Sequence, residues 1–131
     1  MYAKDTYMLI YHSSNSVEST YKILREGFDK KYIGSGYGST FGRGIYFTPN
    51  LEYACTYNMD IKEIIKCDID IYKYKCISYD MNTSRNNNSK KICKLLKSNP
   101  DILIVNKDKE IVEVVVYNTD IIRNIEVIQK N

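Results

Sequence analysis

The sequence predicts an α+β protein, mostly antiparallel in its sheets, with short flanking helices. Two observations carry this. Apolar runs short enough for strands, rich in isoleucine, valine and tyrosine, recur along most of the 131 residues, while helical spacing appears in only two or three short stretches. A third observation points to a site: all six glycines fall between Gly27 and Gly44, so unusual backbone is confined to one stretch.

Taken in order, Tyr7 to His12 reads Y-M-L-I-Y-H, a buried strand bounded by Ser13, Ser14 and Asn15. Asn15 is positioned to cap a helix, with Glu18 reaching back. Val17, Tyr21 and Leu24 then form its buried stripe, and Gly27 stops it. Positions 34 to 48 read G-S-G-Y-G-S-T-F-G-R-G-I-Y-F-T, either a shaped loop leading into a strand through Tyr46 or a mobile surface linker. Thr48 and Pro49 supply a cap and a first-turn proline for a short helix carrying Leu51, Tyr53, Ala54 and Tyr57.

Ile61 to Tyr79 looks like one or two strands, and Asn82 to Ser89 like a polar loop. Lys90 to Leu96 is a short amphipathic helix whose lysines form a solvated face and which Pro100 keeps from extending. Ile102 to Val105 and Ile111 to Tyr117 are strands around a turn at Asn106 to Lys109, and Ile121 to Ile128 is a last strand. No internal repeat is present.

The length predicts one domain. A net charge of +3 from nineteen basic and sixteen acidic residues is too mild and too mixed to indicate nucleic-acid binding. No apolar segment is long enough to span a membrane or act as a secretory signal, so the expectation is a soluble protein, cytoplasmic or nuclear, probed by no membrane partner. The four cysteines form no C-x-x-C pair and His12 is the single histidine, so free thiols and no metal site are expected.

The glycines fail three ligand motifs. Gly44 is followed by Ile45, not by the lysine of a Walker A loop. Gly34, Gly36 and Gly38 run G-x-G-x-G into a strand, which is neither the dinucleotide fingerprint nor a kinase loop. His12, at a strand end, is either a satisfied structural residue or a site residue. Glu113 interrupts an otherwise apolar strand, so it is either half-exposed at an edge or held for use, since burying an unpaired carboxylate is costly.

The ordered set Y-H-S-S, L-R-E-G-F-D, G-S-T-F-G-R-G-I-Y-F-T-P and E-V-V-V-Y-N, spanning positions 10 to 118, resembles the catalytic domain of the poly(ADP-ribose) polymerases. The resemblance implies a single minimal ADP-ribosyltransferase domain over residues 1–131, with no helical regulatory subdomain and a fold built around an NAD groove. It implies that His12, Tyr46 and Glu113 are the family's H-Y-E triad. His12 would donate a hydrogen bond to a ribose hydroxyl of NAD, Tyr46 would pack against the nicotinamide opposite Tyr57, and Glu113 would bind the ribose 2′-hydroxyl. Ser13, Ser14, Arg43 and Gly44 would join them in holding NAD, without a metal.

The sequence departs from the family's pattern at Ser13, where a glycine is usual, and at Ala54, where a serine is usual. The activity implied is NAD-dependent transfer of one or a few ADP-ribose units to a macromolecule, most readily a protein, by a monomer. The alternatives are a catalytically silent module that binds NAD, ADP-ribose or a partner, and a modifier of nucleic-acid ends.

Overall fold

The computed structural model describes residues 7–29, 39–81 and 88–130. Its order is β1 (Tyr7–His12), α1 (Val17–Glu26), a 3-10 turn (Ser39–Phe41), β2 (Ile45–Phe47), α2 (Leu51–Tyr57), β3 (Glu63–Asp70), β4 (Cys76–Asp80), α3 (Asn88–Leu96), β5 (Ile102–Lys107), β6 (Glu110–Val116), a second 3-10 turn (Thr119–Ile121) and β7 (Arg123–Gln129). The protein is thus α+β, as expected. Of the expected polar loop Asn82 to Ser89, residues 82–87 lie outside the described residues, as do Gly34, Gly36 and Gly38, while Asn88 and Ser89 belong to α3.

Two sheets form, one ordered β1-β3-β7 and one ordered β2-β6-β5-β4. Every pairing is antiparallel except β4 with β5, which α3 connects as a crossover. Ile10, Cys67 and Ile69 of the first sheet meet Ile45, Phe47, Ile104, Val114 and Val116 of the second in the main core. On the far side of the second sheet, Leu103, Val105 and Val115 pack with Phe41, Tyr79 and Ile92 of α3. Strands β5 and β6 are therefore covered on both faces, which explains their unbroken apolar runs.

Three local expectations need correction. Val17, Tyr21 and Leu24 lie on the outer side of α1, at 43%, 36% and 40% exposure, and Thr20 is the residue buried beneath the helix. Threonine is tolerated there because its hydroxyl donates to Ser16 O and also meets the Ser14 hydroxyl. The cap is Ser16, whose Oγ accepts from Ser19 N at 3.0 Å, so Glu18 sits in the first turn beside the helix dipole. Helix α2 is likewise capped two residues later than expected: Asn50 Oδ1 accepts from Tyr53 N, while Thr48 accepts from Asn50 N.

The β5–β6 turn closes on Asp108 and Lys109, at φ 53° and 67°. Positive φ at both central residues is what a two-residue hairpin requires, so the strands extend further than the expected four-residue turn allowed.

Candidate active site

A backbone bridge joins the two sheets beside the site. Tyr11, near the end of β1, and Thr48, just after β2, exchange backbone hydrogen bonds of 2.8 and 3.0 Å. Beside this bridge lies a groove of about 400 Å³, bounded by α1, the segment after Gly27, β2, α2 and Glu113 of β6. A volume of that order is within the range of small-ligand sites.

His12 lines the groove, and its Nδ1–H donates to Tyr46 O at 2.8 Å. Phe28 and Phe47 hold the ring, each with its centroid 5.5 Å away. Burial pushes the imidazole below its ordinary pKa of 6.5, so the ring is neutral at pH 7. With the proton fixed on Nδ1, the remaining nitrogen, Nε2, is an acceptor. Nε2 is thus an acceptor in this tautomer, whereas the resemblance implies a His12 that donates to a ribose hydroxyl.

Tyr46 also lines the groove, but its hydroxyl is engaged elsewhere. It accepts from Phe41 N at 3.0 Å and donates to Gly42 O at 2.8 Å. Tyr117 adds a second brace by donating its hydroxyl to Phe41 O. The 41–44 segment is therefore held by two tyrosine hydroxyls, leaving the Tyr46 ring as the part available to a ligand. Gly42 needs no side chain because its φ is 85°, a left-handed conformation. Gly44 is required for another reason: a Cβ there would stand 2.6 Å from Val115 Cγ1 and 3.0 Å from Val116 O.

Glu113 reaches the same groove from β6. Phe47, Tyr46 and Ile45 pair with Val114, Val115 and Val116, so Glu113 is the first β6 residue beyond the end of β2. It is half-buried, and burial pushes its carboxyl pKa upward from the ordinary 4.5. Its charge in turn contributes to raising the Tyr46 phenol, after burial and against the hydrogen bond from Phe41.

Ser13, Ser14, Gly44 and Tyr57 line the groove as well. Ser14 is buried with its hydroxyl engaged with Thr20 and Ser16 O, so its side chain is structural. Ser13 Oγ is buried without a hydrogen-bond partner. Tyr57, on α2, is 58% exposed at the groove. Ala54 lines the groove one turn earlier at 2% exposure, so the position of the missing serine faces the site and carries no hydroxyl.

Arg43 departs from expectation. It is exposed and borders a separate cleft with Gly42, Leu96, Asn99, Pro100 and Tyr117, because residues 42–44 pass over the Tyr117 side of β6. Conversely, Tyr53 was missed. It lines the groove four residues before Tyr57, at 56% exposure, and that i, i+4 spacing was the available signal.

All four cysteines are free thiols, and among the described residues no group of three or more His, Cys, Asp or Glu is placed to hold a metal. No helix among the described residues is long and apolar enough to cross a membrane. No family model matches the chain, and no curated protein matches it.

Proposed function

We propose that this chain is an NAD-dependent ADP-ribosyltransferase of compact ADP-ribosyltransferase-like fold, which breaks the nicotinamide–ribose bond and transfers ADP-ribose to a protein. The observation that carries the reading is that His12, Tyr46 and Glu113, widely separated in sequence, line one groove together with Tyr57. The motif resemblance names these residues, and their shared place in one groove supports a common ligand.

In this reading the Tyr46 ring and the half-exposed Tyr57 ring flank the flat, cationic pyridinium. Stacking and cation–π attraction are each worth on the order of 1 kcal/mol. His12 Nε2 accepts from a ribose hydroxyl, and Tyr46 O fixes the tautomer that makes this acceptor available. Glu113 accepts from the 2′-hydroxyl of the nicotinamide ribose.

The bond between ribose C1′ and the pyridinium nitrogen breaks with its electron pair passing to nitrogen, so nicotinamide leaves neutral. Positive charge develops on the ribose as this happens. The Glu113 carboxylate, partly shielded from water, favours that charge more than it favours the ground state. A nucleophile of the acceptor then bonds to C1′ and loses its proton.

The test is transfer of label from adenine-labelled NAD onto protein, with NAD binding followed by calorimetry. Glu113→Ala is expected to keep binding and lose transfer; transfer at the wild-type rate would remove Glu113 from the chemistry.

Ala54 favours a second reading, a module that binds NAD or ADP-ribose without turnover, since one groove hydroxyl usual in active members is absent. Calorimetric binding without nicotinamide release would support it, and sustained release would exclude it.

A further inference from the structure

Lys90, Lys91 and Lys94 of α3, and Lys97 just after it, are all exposed, and the sequence holds no carboxylate between Asp80 and Asp101. These lysines alone exceed the chain's net charge of +3, so the rest of it is net acidic. Lys90, Lys94 and Lys97 stand at i, i+4 and i+7, with Lys91 at their border, and Lys97 N still bonds back to Cys93 O. One helix face therefore carries the lysines.

That arrangement is unfavourable for the helix by itself. Like charges at i, i+4 repel, and Lys90 and Lys91 lie at the first turn, which has no acidic residue and where the helix dipole disfavours cations. Among the described residues none of the lysines is in an ion pair. An anion laid along the face relieves both costs.

Where α3 ends there is a cleft of about 350 Å³ lined by Leu96, Pro100 and Tyr117, with the exposed Arg43 and Asn99 beside them. The 41–44 segment closes against α3 here, since a Cβ on Gly42 would stand 3.0 Å from Leu96 Cδ1. Arg43 thus adds a cation beside the last turn of α3, and the next residue, Gly44, lines the groove. A row of cations ending in an apolar cleft is complementary to a run of carboxylates ending in an apolar side chain. A single-stranded nucleic acid is favoured instead by aromatic platforms along the face, and α3 has no aromatic residue.

We propose that the lysine face of α3 and the Arg43 cleft dock an acidic segment of the acceptor protein, its carboxylates along the lysines and one apolar side chain in the cleft. That the docked protein is the acceptor rests on the transferase reading of the groove; the docking itself does not.

The experiment is fluorescence anisotropy with a labelled synthetic peptide of aspartates and glutamates around one leucine, competed by a single-stranded oligonucleotide. Wild type is expected to bind the peptide, less tightly as salt is raised. Lys90→Glu/Lys94→Glu, whose sites are exposed and whose fold is checked by circular dichroism, is expected to lose about tenfold or more in affinity. Replacing the peptide's leucine by serine is expected to cost about threefold or more. Label transfer from NAD onto a carrier protein fused to the peptide is then expected to show a raised KM in the double variant, with nicotinamide release in the absence of carrier unchanged.

No peptide binding by wild type, equal binding by the double variant, or tighter binding of the oligonucleotide would overturn the docking proposal. Peptide binding that falls in the variant while transfer to the fused carrier does not would overturn the acceptor assignment. Charge-dependent peptide binding by a wild type that releases no nicotinamide would leave the docking surface in place and remove the transferase reading.

Discussion

Replacing Gly44 by alanine tests how closely β2 must approach β6 for the site to assemble. The added methyl would stand 2.6 Å from Val115 Cγ1 and 3.0 Å from both Tyr117 Cδ1 and Val116 O. Carbon pairs rest at about 3.5–4.0 Å, so the worst contact is short by roughly 1 Å. Val115 is fully buried and β-branched, which leaves its side chain little freedom to turn away. Val116 O belongs to an interior strand, paired on both sides, and cannot retreat.

The gap must therefore open by an outward shift of β2. Overpacking of this kind costs about 1–3 kcal/mol. The same shift strains the Tyr46 hydroxyl bonds to Phe41 N and Gly42 O, each worth about 0.5–1.5 kcal/mol. Backbone conformation adds nothing, since among the described glycines only Gly27 and Gly42 have positive φ.

We expect Gly44→Ala to lose about 2–4 kcal/mol in urea unfolding followed by circular dichroism, with an unchanged denaturant slope. The groove should be disturbed as well, since Tyr46 and Glu113 are set by this strand pair. A loss below about 0.5 kcal/mol would refute the packing argument, because that is the range of an ordinary surface substitution.

Glu113→Gln should be more stable than wild type at pH 7, because burial raises the carboxyl pKa and the ionised form is the one penalised. The folded state binds the proton more tightly, so wild-type stability from this group is complete below pH 4.5 and is lost as pH rises through the folded pKa. The gap between variant and wild type should close in acid; a gap independent of pH would contradict this. His12 has the opposite sign: its lowered folded pKa means that only the unfolded chain takes up a proton as pH falls below 6.5. Stability should fall over that window in wild type and less so in His12→Asn, and equal slopes would count against a buried neutral ring. Tyr117→Phe removes the donor to Phe41 O and should cost about 0.5–1.5 kcal/mol in urea unfolding; no loss would mean that the hydroxyl does not brace the 41–44 segment. Asp68→Ala removes the carboxylate that accepts from Arg123 at 2.8 Å and from Asn124 Nδ2, and should cost about 2–4 kcal/mol, reduced from a fully buried pair because Arg123 is partly solvated and keeps its contact with the Tyr7 ring; a loss under 1 kcal/mol, roughly a surface pair's worth, would contradict the burial of Asp68.

The strands were legible where the sequence alone determines them. Ile102 to Val105 and Val114 to Val116 are buried on both faces, so their runs could not read as anything amphipathic. Helix α1 was legible as a helix but not in its orientation. Its apolar spacing selected Val17, Tyr21 and Leu24, whereas the buried side is set by Thr20, whose hydroxyl is satisfied by Ser14 and Ser16 only once β1 and α1 are juxtaposed. The parallel pairing of β4 with β5 was also hidden, since nothing local distinguishes a strand's partner direction.

Within the site, His12, Tyr46, Tyr57 and Glu113 could be named from motif order, and all line the groove. What the motif could not give is the state of each group. The tautomer of His12 depends on Tyr46 O, a contact across 34 residues. The Tyr46 hydroxyl is taken up by the 41–44 backbone, and Arg43, adjacent in sequence to groove residue Gly44, borders another cleft.

The most direct test of the central claim is release of nicotinamide from NAD by the purified protein, measured for wild type, Glu113→Gln and His12→Ala. The account expects release by wild type, a fall of about a hundredfold or more in Glu113→Gln with NAD binding retained, and weakened NAD binding in His12→Ala. Release from wild type that persists undiminished in Glu113→Gln, or no release from wild type in the presence of acceptor protein, would contradict it.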